Sequence, residues 1–485
     1  MTKQGSPARC VMVLGTSSGA GKSWLATALC RWYARQGLRV APFKAQNMSN
    51  NARVVAGGEI GSAQYFQALA ARAEPEVRMN PLLLKPERDT HSQVVLFGQV
   101  DEALSRQPWR GRSASVWPRI AHALDELRAE NDVVVIEGAG SPAEINLMDS
   151  DIANLRVARH ADAACLLVSD IDRGGAFAHL YGTWALLEEE DRARIRGFIL
   201  NKFRGDATLL APAPQQLQAL TNVPTVATLP MWWGHGLPEE DGWFQPRAAT
   251  PGGAQRTIAV IATPRISNLD EFQPLANLAG VCLLWARTPA ELAGADWIVL
   301  PGSKHTSSDL AWLRAQGLDR AIAAHAAAGG AVLGVCGGLQ MLGEALIDVH
   351  GIDGNGPGLG LLPLVTQFEP AKTLRRTQVR FGTLAGPWAG LSGVSASGYE
   401  IHHGQTAQHP AMPAARIALP GGLGWQNDAG NVLGVYLHGL FEDPAVLHAL
   451  FGAAAATLDS VFDGLADFID QHFEAGVLHG LIARP

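Results

Sequence analysis

Short, continuous apolar runs alternate with amphipathic stretches along most of the 485 residues. In the first half the runs are Cys10–Gly15, Leu38–Phe43, Asp132–Gly138, Ala163–Asp170 and Ile195–Lys202. Apolar residues at consecutive positions, without alternation, mark strands covered on both faces. Segments such as "SWLATALCRWYARQG" between them carry the helical period. The pattern predicts an α/β fold with a doubly wound, mainly parallel sheet. It fails over residues 231–256, "MWWGHGLPEEDGWFQPRAATPGGAQR", where Gly, Pro and Trp dominate, and a linker is expected there. The alternation restarts with Arg256–Pro264, Gly280–Arg287, Ala295–Ser303 and Gly330–Gly338, so a second domain of the same class is expected from residue 256. Near the end, apolar residues at 458, 461, 462, 465, 468, 469 and 473 predict a core-packing helix whose polar face is acidic. The organisation read this way is residues 1–240, a linker at 241–255, and residues 256–485 with the C-terminal helices included.

Composition narrows the function classes. The formal net charge is −7 and no basic run occurs, which argues against nucleic acid as the main partner but leaves a small anionic substrate open. No apolar run reaches the roughly 18 residues that span a bilayer, and "MTKQGSPARC" has no hydrophobic targeting segment. A cytoplasmic protein without membrane contact is expected. Five cysteines, widely spaced and without a C-x-x-C pair, suggest neither a disulfide framework nor zinc. The pattern leaves the oligomeric state open, a homo-oligomer included.

Candidate chemistry begins with "VMVLGTSSGAGKS", a strand, a Gly- and Ser-rich turn and a helix start. Gly15, Gly19 and Gly21 allow the backbone to approach a ligand closely, and N–H groups at the helix N-terminus point at phosphate oxygens. Lys22 is placed to reach the β/γ-phosphates and Ser23 to ligate Mg²⁺. The spacing from Gly15 is one residue longer than the usual loop. A glycine-rich turn that binds nothing is the plain alternative, and the strand before and helix after weigh against it. Downstream, Glu137 closes an apolar strand where an acidic metal ligand is needed. Asn201 and Lys202 close another, a place for purine-edge contact or an ordinary loop. Lys44 follows a strand and is a candidate for phosphate or substrate. Gln46, Asn47 and Asn50 are candidate substrate contacts, or a solvated loop.

"AVLGVCGGLQMLGEAL" sets Cys336 between a strand and a helix expected from about Gly338. A sharp turn there exposes the thiol to the helix N-terminus, which favours the thiolate. Gly334, Gly337 and Gly338 are the small neighbours such an elbow requires. The Gly337 N–H is a candidate oxyanion donor, with a second from Gly302 or Ser303 in "VLPGSKH". The base must be a histidine near in space. His438, ending the strand of "VLGVYLHGLFEDP", is the first candidate, and His402 and His403 come next. Cys10, Cys30, Cys165 and Cys282 read as core.

"GVCGGLQMLG", "LPGSKHT" and "YLHGLFEDP" resemble the triad-type (class I) glutamine amidotransferases. The resemblance implies a Cys336 nucleophile, a His438 base and Gln340 near the glutamine pocket. That family commonly carries Glu two residues beyond the histidine; here Leu440 stands there and Glu442 two further on, so a Cys–His dyad is what carries over. "GTSSGAGKS", Lys44 and "VIEGAGS" resemble the dethiobiotin-synthetase-like ATPases, while the signature lysine of the partitioning ATPases is replaced by Ser17. Both halves in this order, with "PFKAQNMSNN", "LLLKPERDTHSQVVLFG", "SDIDRGGAFAHLYGT" and "GYEIHHG", resemble the cobyric acid synthase family over nearly the whole chain. Implied are ATP, Mg²⁺, glutamine and a corrinoid substrate, with amidation of the b, d, e and g carboxylates of adenosylcobyrinic acid a,c-diamide. Two alternatives stay open: a cobyrinic acid a,c-diamide synthase-type amidase, and a regulatory P-loop ATPase with an inactive amidotransferase scaffold. "PFKAQNMSNN" weighs against the first, and Cys336 with His438 against the second.

Overall fold

The computed structural model describes residues 7–88, 91–238, 256–452 and 456–483; the linker expected at 241–255 lies outside them. The chain forms two compact units.

In the first, β1 (Arg9–Gly15) runs into the glycine-rich turn and α1 (Lys22–Arg35) follows it. With β2 (Val40–Phe43), β3 (Val133–Glu137), β4 (Ala164–Asp170), β5 (Ile195–Phe203) and β6 (Thr225–Pro230) the strands order as β6-β5-β4-β1-β3-β2, every pair parallel. Val11, Val13, Val133 and Val135 enter one apolar cluster with Leu25 and Leu29 of α1, while Met12, Leu14, Val134 and Ile136 enter another. Alternate residues of each strand feed different cores, so both faces demand apolar side chains and the runs lose their alternation. The carboxyl ends of β1, β3, β4 and β5 then carry the glycine-rich turn, Glu137, Asp170 and Asn201, the edge where open α/β sheets bind ligands. Strand β6 and a separate four-stranded sheet (Gln46–Met48, Leu82–Arg88, His91–Leu96, Gln99–Val100) were not foreseen.

The second unit is built on β7 (Arg256–Ile261), β8 (Val281–Ala286), β9 (Trp297–Leu300) and β10 (Ala331–Val335). The short α2 (Gly337–Leu342) follows, then a long antiparallel pair, β11 (Leu364–Arg380) and β12 (Ser395–Gln408). β13 (Arg416–Leu419), β14 (Gly424–Gln426) and β15 (Val432–Val435) return to the main sheet, ordered β8-β7-β9-β10-β15-β14-β13. From β8 to β15 it is parallel; β14 and β13 add an antiparallel edge.

The division between the units is not a single cut. Residues 50–54 belong to the second unit, and the last long helix, α3 (Leu458–His472), belongs to the first, contrary to the expected boundary. The packing shows why. Val461, Phe462, Leu465, Ala466 and Ile469 of α3 are buried in the cluster that holds Leu25 and Leu29. The acidic face of α3 meets α1: Arg31 Nε donates to Asp463 at 2.8 Å, Trp32 Nε1 to Asp470 at 2.8 Å and Arg35 Nη1 to Asp467 at 2.6 Å. Phe462 is among the largest fully buried side chains. Phe462→Ala is expected to destabilise the first unit by about 3 kcal/mol, the usual cost of emptying a buried phenyl site. Chemical denaturation followed by circular dichroism checks this, and an unchanged midpoint would contradict the packing role.

Candidate active site

The elbow at Cys336 is stereochemically forced. β10 ends at Val335, α2 starts at Gly337, and Cys336 between them has φ +50° and ψ −104°. A non-glycine residue held there costs roughly 1–3 kcal/mol and persists only where its surroundings dictate it. Here they do: a side chain on Gly338 would collide with the Leu300 carbonyl, and one on Gly337 would come within 2.8 Å of the Ser303 nitrogen. The turn is packed against the end of β9, so the backbone N–H of Ser303 lies beside the helix start that follows the nucleophile.

Parallel pairing gathers the other groups. β10 lies between β9 and β15, with Leu300 beside Gly334 and Val335 beside Val435. Chain leaving these strands in one direction brings Gly302 and Ser303 from one neighbour and His438 from the other. A Cβ on Gly302 would sit 2.8 Å from His438 Cε1. The expected group of Cys336, His438, Gly302, Ser303 and Gly337 is therefore brought together. Cys336 is itself buried, with Sγ 3.5 Å from the Ile401 carbonyl oxygen. Gln340 is buried alongside, accepting from Thr306 Oγ1 at 3.0 Å and donating to Tyr436 OH at 3.2 Å. Both ring nitrogens of His402 are bound, to the Gly404 carbonyl and to Glu400, and His403 Nδ1 lies 3.1 Å from the Glu369 carbonyl oxygen. Among the other cysteines, Cys10, Cys30 and Cys165 are buried as expected, whereas Cys282 is only partly so.

A carboxylate stands beside the imidazole where the sequence did not point. His438 Nδ1 lies 3.0 Å from Glu271 Oε1, and Glu271 Oε2 accepts from the Gly439 N–H at 2.8 Å. Glu271 is 1% exposed, in the turn Leu269–Phe272 that follows β7. Leu440 is packed in the apolar core, and Glu442 pairs with Arg53 at 2.6 Å. Burial alone would pull the His438 imidazole down, but the negative charges of Glu271 and Cys336 outweigh it and push it up to about 10. His438 therefore binds a proton more tightly than a free imidazole, which favours the form that pairs with a thiolate. Tyr399 stacks on the imidazole, centroids 5.4 Å apart, and exchanges backbone hydrogen bonds with His438 at 3.2 and 2.9 Å. The nucleophile, an imidazolium held by a carboxylate and adjacent backbone donors can together perform acyl transfer through a thioester.

The phosphate loop of the first unit has its own geometry. Gly19 and Gly21 take φ +73° and +102°, open to glycine without strain. Gly15 lies against the stem of Lys22, whose Nζ donates to the Ser17 carbonyl at 2.9 Å and the Gly140 carbonyl at 3.0 Å. Lys22 thus spans the loop that it closes. Glu137 Oε1 accepts from Ser23 Oγ and from Lys44 Nζ, both at 2.7 Å, and Oε2 accepts from Gln67 at 2.6 Å. Burial would raise this carboxyl, but Lys44, Ser23 and Gln67 outweigh it and hold it below its ordinary range, hence ionised. Asn201 Nδ2 donates to the Ala20 carbonyl at 2.9 Å and Lys202 Nζ to the Gly19 carbonyl at 2.8 Å, so both brace the loop. Gln46 and Asn47 lie on Gln46–Met48, where Asn47 donates to Gln64. Asn50 is grouped with the second unit.

Two family models match the chain. Residues 11–232 match a CobQ/CobB/MinD/ParA nucleotide binding domain, and residues 257–446 a CobB/CobQ-like glutamine amidotransferase domain. Relatives called cobyric acid synthase align over almost the full length. That of Variovorax paradoxus (strain S110) is 80% identical over 98% of this chain and 99% of its own. That of Polaromonas sp. (strain JS666) is 74% identical over 99% and 100%, and that of Leptothrix cholodnii is 67% identical over 99% and 98%.

Proposed function

Since this chain belongs to the cobyric acid synthase family, we propose that it amidates corrinoid carboxylates with nitrogen from glutamine at the expense of ATP. The acceptors are the b, d, e and g side chains of adenosylcobyrinic acid a,c-diamide, the product is adenosylcobyric acid, and the place is the cytoplasm. One observation carries the reading: a braced phosphate loop and a Cys336–His438–Glu271 triad stand in a single chain.

In the second unit, the Cys336 thiolate attacks the side-chain carboxamide carbon of glutamine. The Gly337 and Ser303 N–H groups receive the oxyanion. The imidazolium of His438 gives its proton to the departing nitrogen, so ammonia leaves and a thioester remains. His438, now neutral, takes a proton from water, which attacks the thioester; glutamate leaves and the thiolate returns. Glu271 keeps the imidazole in one orientation and stabilises its charge.

In the first unit, Lys22 and the loop N–H groups bind the phosphates, and Gly19 and Gly21 let the backbone reach them. Ser23 Oγ and Glu137 Oε1, adjacent hard oxygen donors, fit Mg²⁺ and would hold it. When bound, the ion offsets the charge of the transferring phosphoryl group. Lys44, paired with Glu137, sits where it can meet phosphate or the substrate carboxylate. The substrate carboxylate takes the γ-phosphoryl group of ATP and ADP leaves; ammonia then attacks the acyl carbon, phosphate departs, and a proton is lost to give the amide.

Product masses decide the matter. With the a,c-diamide, ATP and glutamine, mass spectrometry should find the mass change of four acid-to-amide conversions; a gain of none, or products only from the unamidated acid, would overturn the assignment.

Glu271→Gln tests the third triad member. Losing its charge lowers the His438 pKa from about 10, so the alkaline limb of glutaminase kcat/KM should move to lower pH. The rate should fall roughly 10²–10³-fold, toward the range seen when triad carboxylates are made neutral. An unmoved limb with an unchanged rate would remove Glu271 from the mechanism.

A further inference from the structure

The segment at residues 50–54 brings one buried cation into the second unit. Arg53 is 2% exposed and makes an ion pair with buried Asp270, the residue before Glu271. Its Nη1 meets the half-buried Glu442 at 2.6 Å, four residues beyond His438. Its guanidinium also stands 5.1 Å from the centroid of Tyr399, the ring stacked on His438. Neighbours of Arg53 fasten the same turn: Asn51 Oδ1 accepts from the Leu269 N–H at 3.1 Å, and the Ala52 carbonyl accepts from Asn268 Nδ2 at 3.0 Å. Asn268 Nδ2 also lies 2.7 Å from Tyr399 OH.

We propose that Arg53 is a positioning residue for glutamine hydrolysis, holding the turn of Glu271, the loop after His438 and the Tyr399 ring in the arrangement the triad needs. It acts through three groups that abut the imidazole or its partner. The charge balance points the same way. Asp270, Glu271 and Glu442 act on one another, and Glu271 is bound to His438. Enclosure pushes Glu442 up, Arg53 pulls it down, and Asp270 and Glu271 push it up again. Tyr399 is pushed up by burial and faces Arg53 and the same three carboxylates. Without the guanidinium, the pull that lowers Glu442 is lost, so Glu442 takes a proton at higher pH and no longer holds the loop after His438 to the turn of Glu271.

This rests on glutamine hydrolysis at Cys336, so wild-type turnover of glutamine is measured first; its absence would sink that reading rather than this one. In the full-length enzyme, Arg53→Gln and Arg53→Lys are compared over pH for glutaminase activity, and at one pH for amidation from ammonium salt. Arg53→Gln should lower glutaminase kcat about 10–100-fold with KM for glutamine little changed, and move the acid limb upward by about one pH unit. Arg53→Lys, which keeps the charge without the fork, should restore the limb and part of kcat. Ammonium-dependent amidation should persist in both. A normal rate in Arg53→Gln, or a loss with the limb unmoved, overturns the proposal. If Arg53→Gln does not fold, Arg53→Gln/Asp270→Asn replaces it, since it removes the charge of the more buried partner together with that of Arg53. Slowed hydrolysis at unchanged KM then supports the role, and wild-type hydrolysis overturns it.

Discussion

Replacing Cys336 by alanine is expected to abolish glutamine-dependent amidation, a loss of roughly 10⁴-fold or more, while amidation from concentrated ammonium salt continues. Alanine removes the sulfur and nothing else that shapes the elbow. The turn is set by Gly337 and Gly338 against Ser303 and Leu300, so the backbone donors stay where they are. What disappears is the nucleophile, and none of the groups around it, His438 included, carries a thiol. The first unit keeps its phosphate loop and needs only ammonia, whatever its source. Measuring amide product with each nitrogen donor, on a variant that keeps the wild-type melting temperature, separates the two requirements. If the ammonium-driven reaction also vanishes, the division of labour between the units is wrong.

Lys22→Ala should produce the opposite loss. Amidation is expected to fall about 10³-fold or more with either nitrogen donor, the scale of removing a cation from a transferring phosphoryl group. Glutamine hydrolysis by Cys336 should survive. Lys22 also closes the loop through the Ser17 and Gly140 carbonyls, so part of the loss will be loop order rather than charge. Lys22→Arg distinguishes the parts, since it keeps the charge but not the shape. Steady-state assays of ADP, glutamate and amide formation check all three quantities. Loss of glutaminase in Lys22→Ala would show that hydrolysis depends on the phosphate loop and would contradict this separation.

Much of the fold could be read from the chain because doubly wound sheets write a coarse signal. Strands such as Val133–Glu137, covered on both faces, have no polar alternation to hide them. The β11–β12 pair escaped notice because it is long, antiparallel and partly exposed, and its polar residues broke up any apolar run. The placing of α3 was missed for another reason: amphipathicity tells that a helix packs, never against what. At the site, Cys336, His438 and the phosphate loop each sit at a strand end, where a local motif is enough. Glu271 carries no such mark. "NLDEFQPL" looks like any acidic helix start, and its partner His438 is 167 residues away. The sequence reading sought the acid two residues past the histidine, where this chain has placed a core leucine. Arg53 is harder still, since it lies in the half of the sequence that otherwise builds the other unit.

Interleaving has a consequence for synthesis on the ribosome. Arg31 and Asp463, which join α1 to α3, are 432 residues apart. The nascent chain therefore finishes the Cys336 sheet, whose last parallel strand ends at Val435, before the helix that covers α1 has been translated. Residues 50–54, needed in the second unit, are by then long emerged. Within the first unit, the contacts between α1 and α3 are therefore the last whose residues become available. A chain released early, after Gly452 but short of Leu458, would carry a whole triad and an uncovered α1.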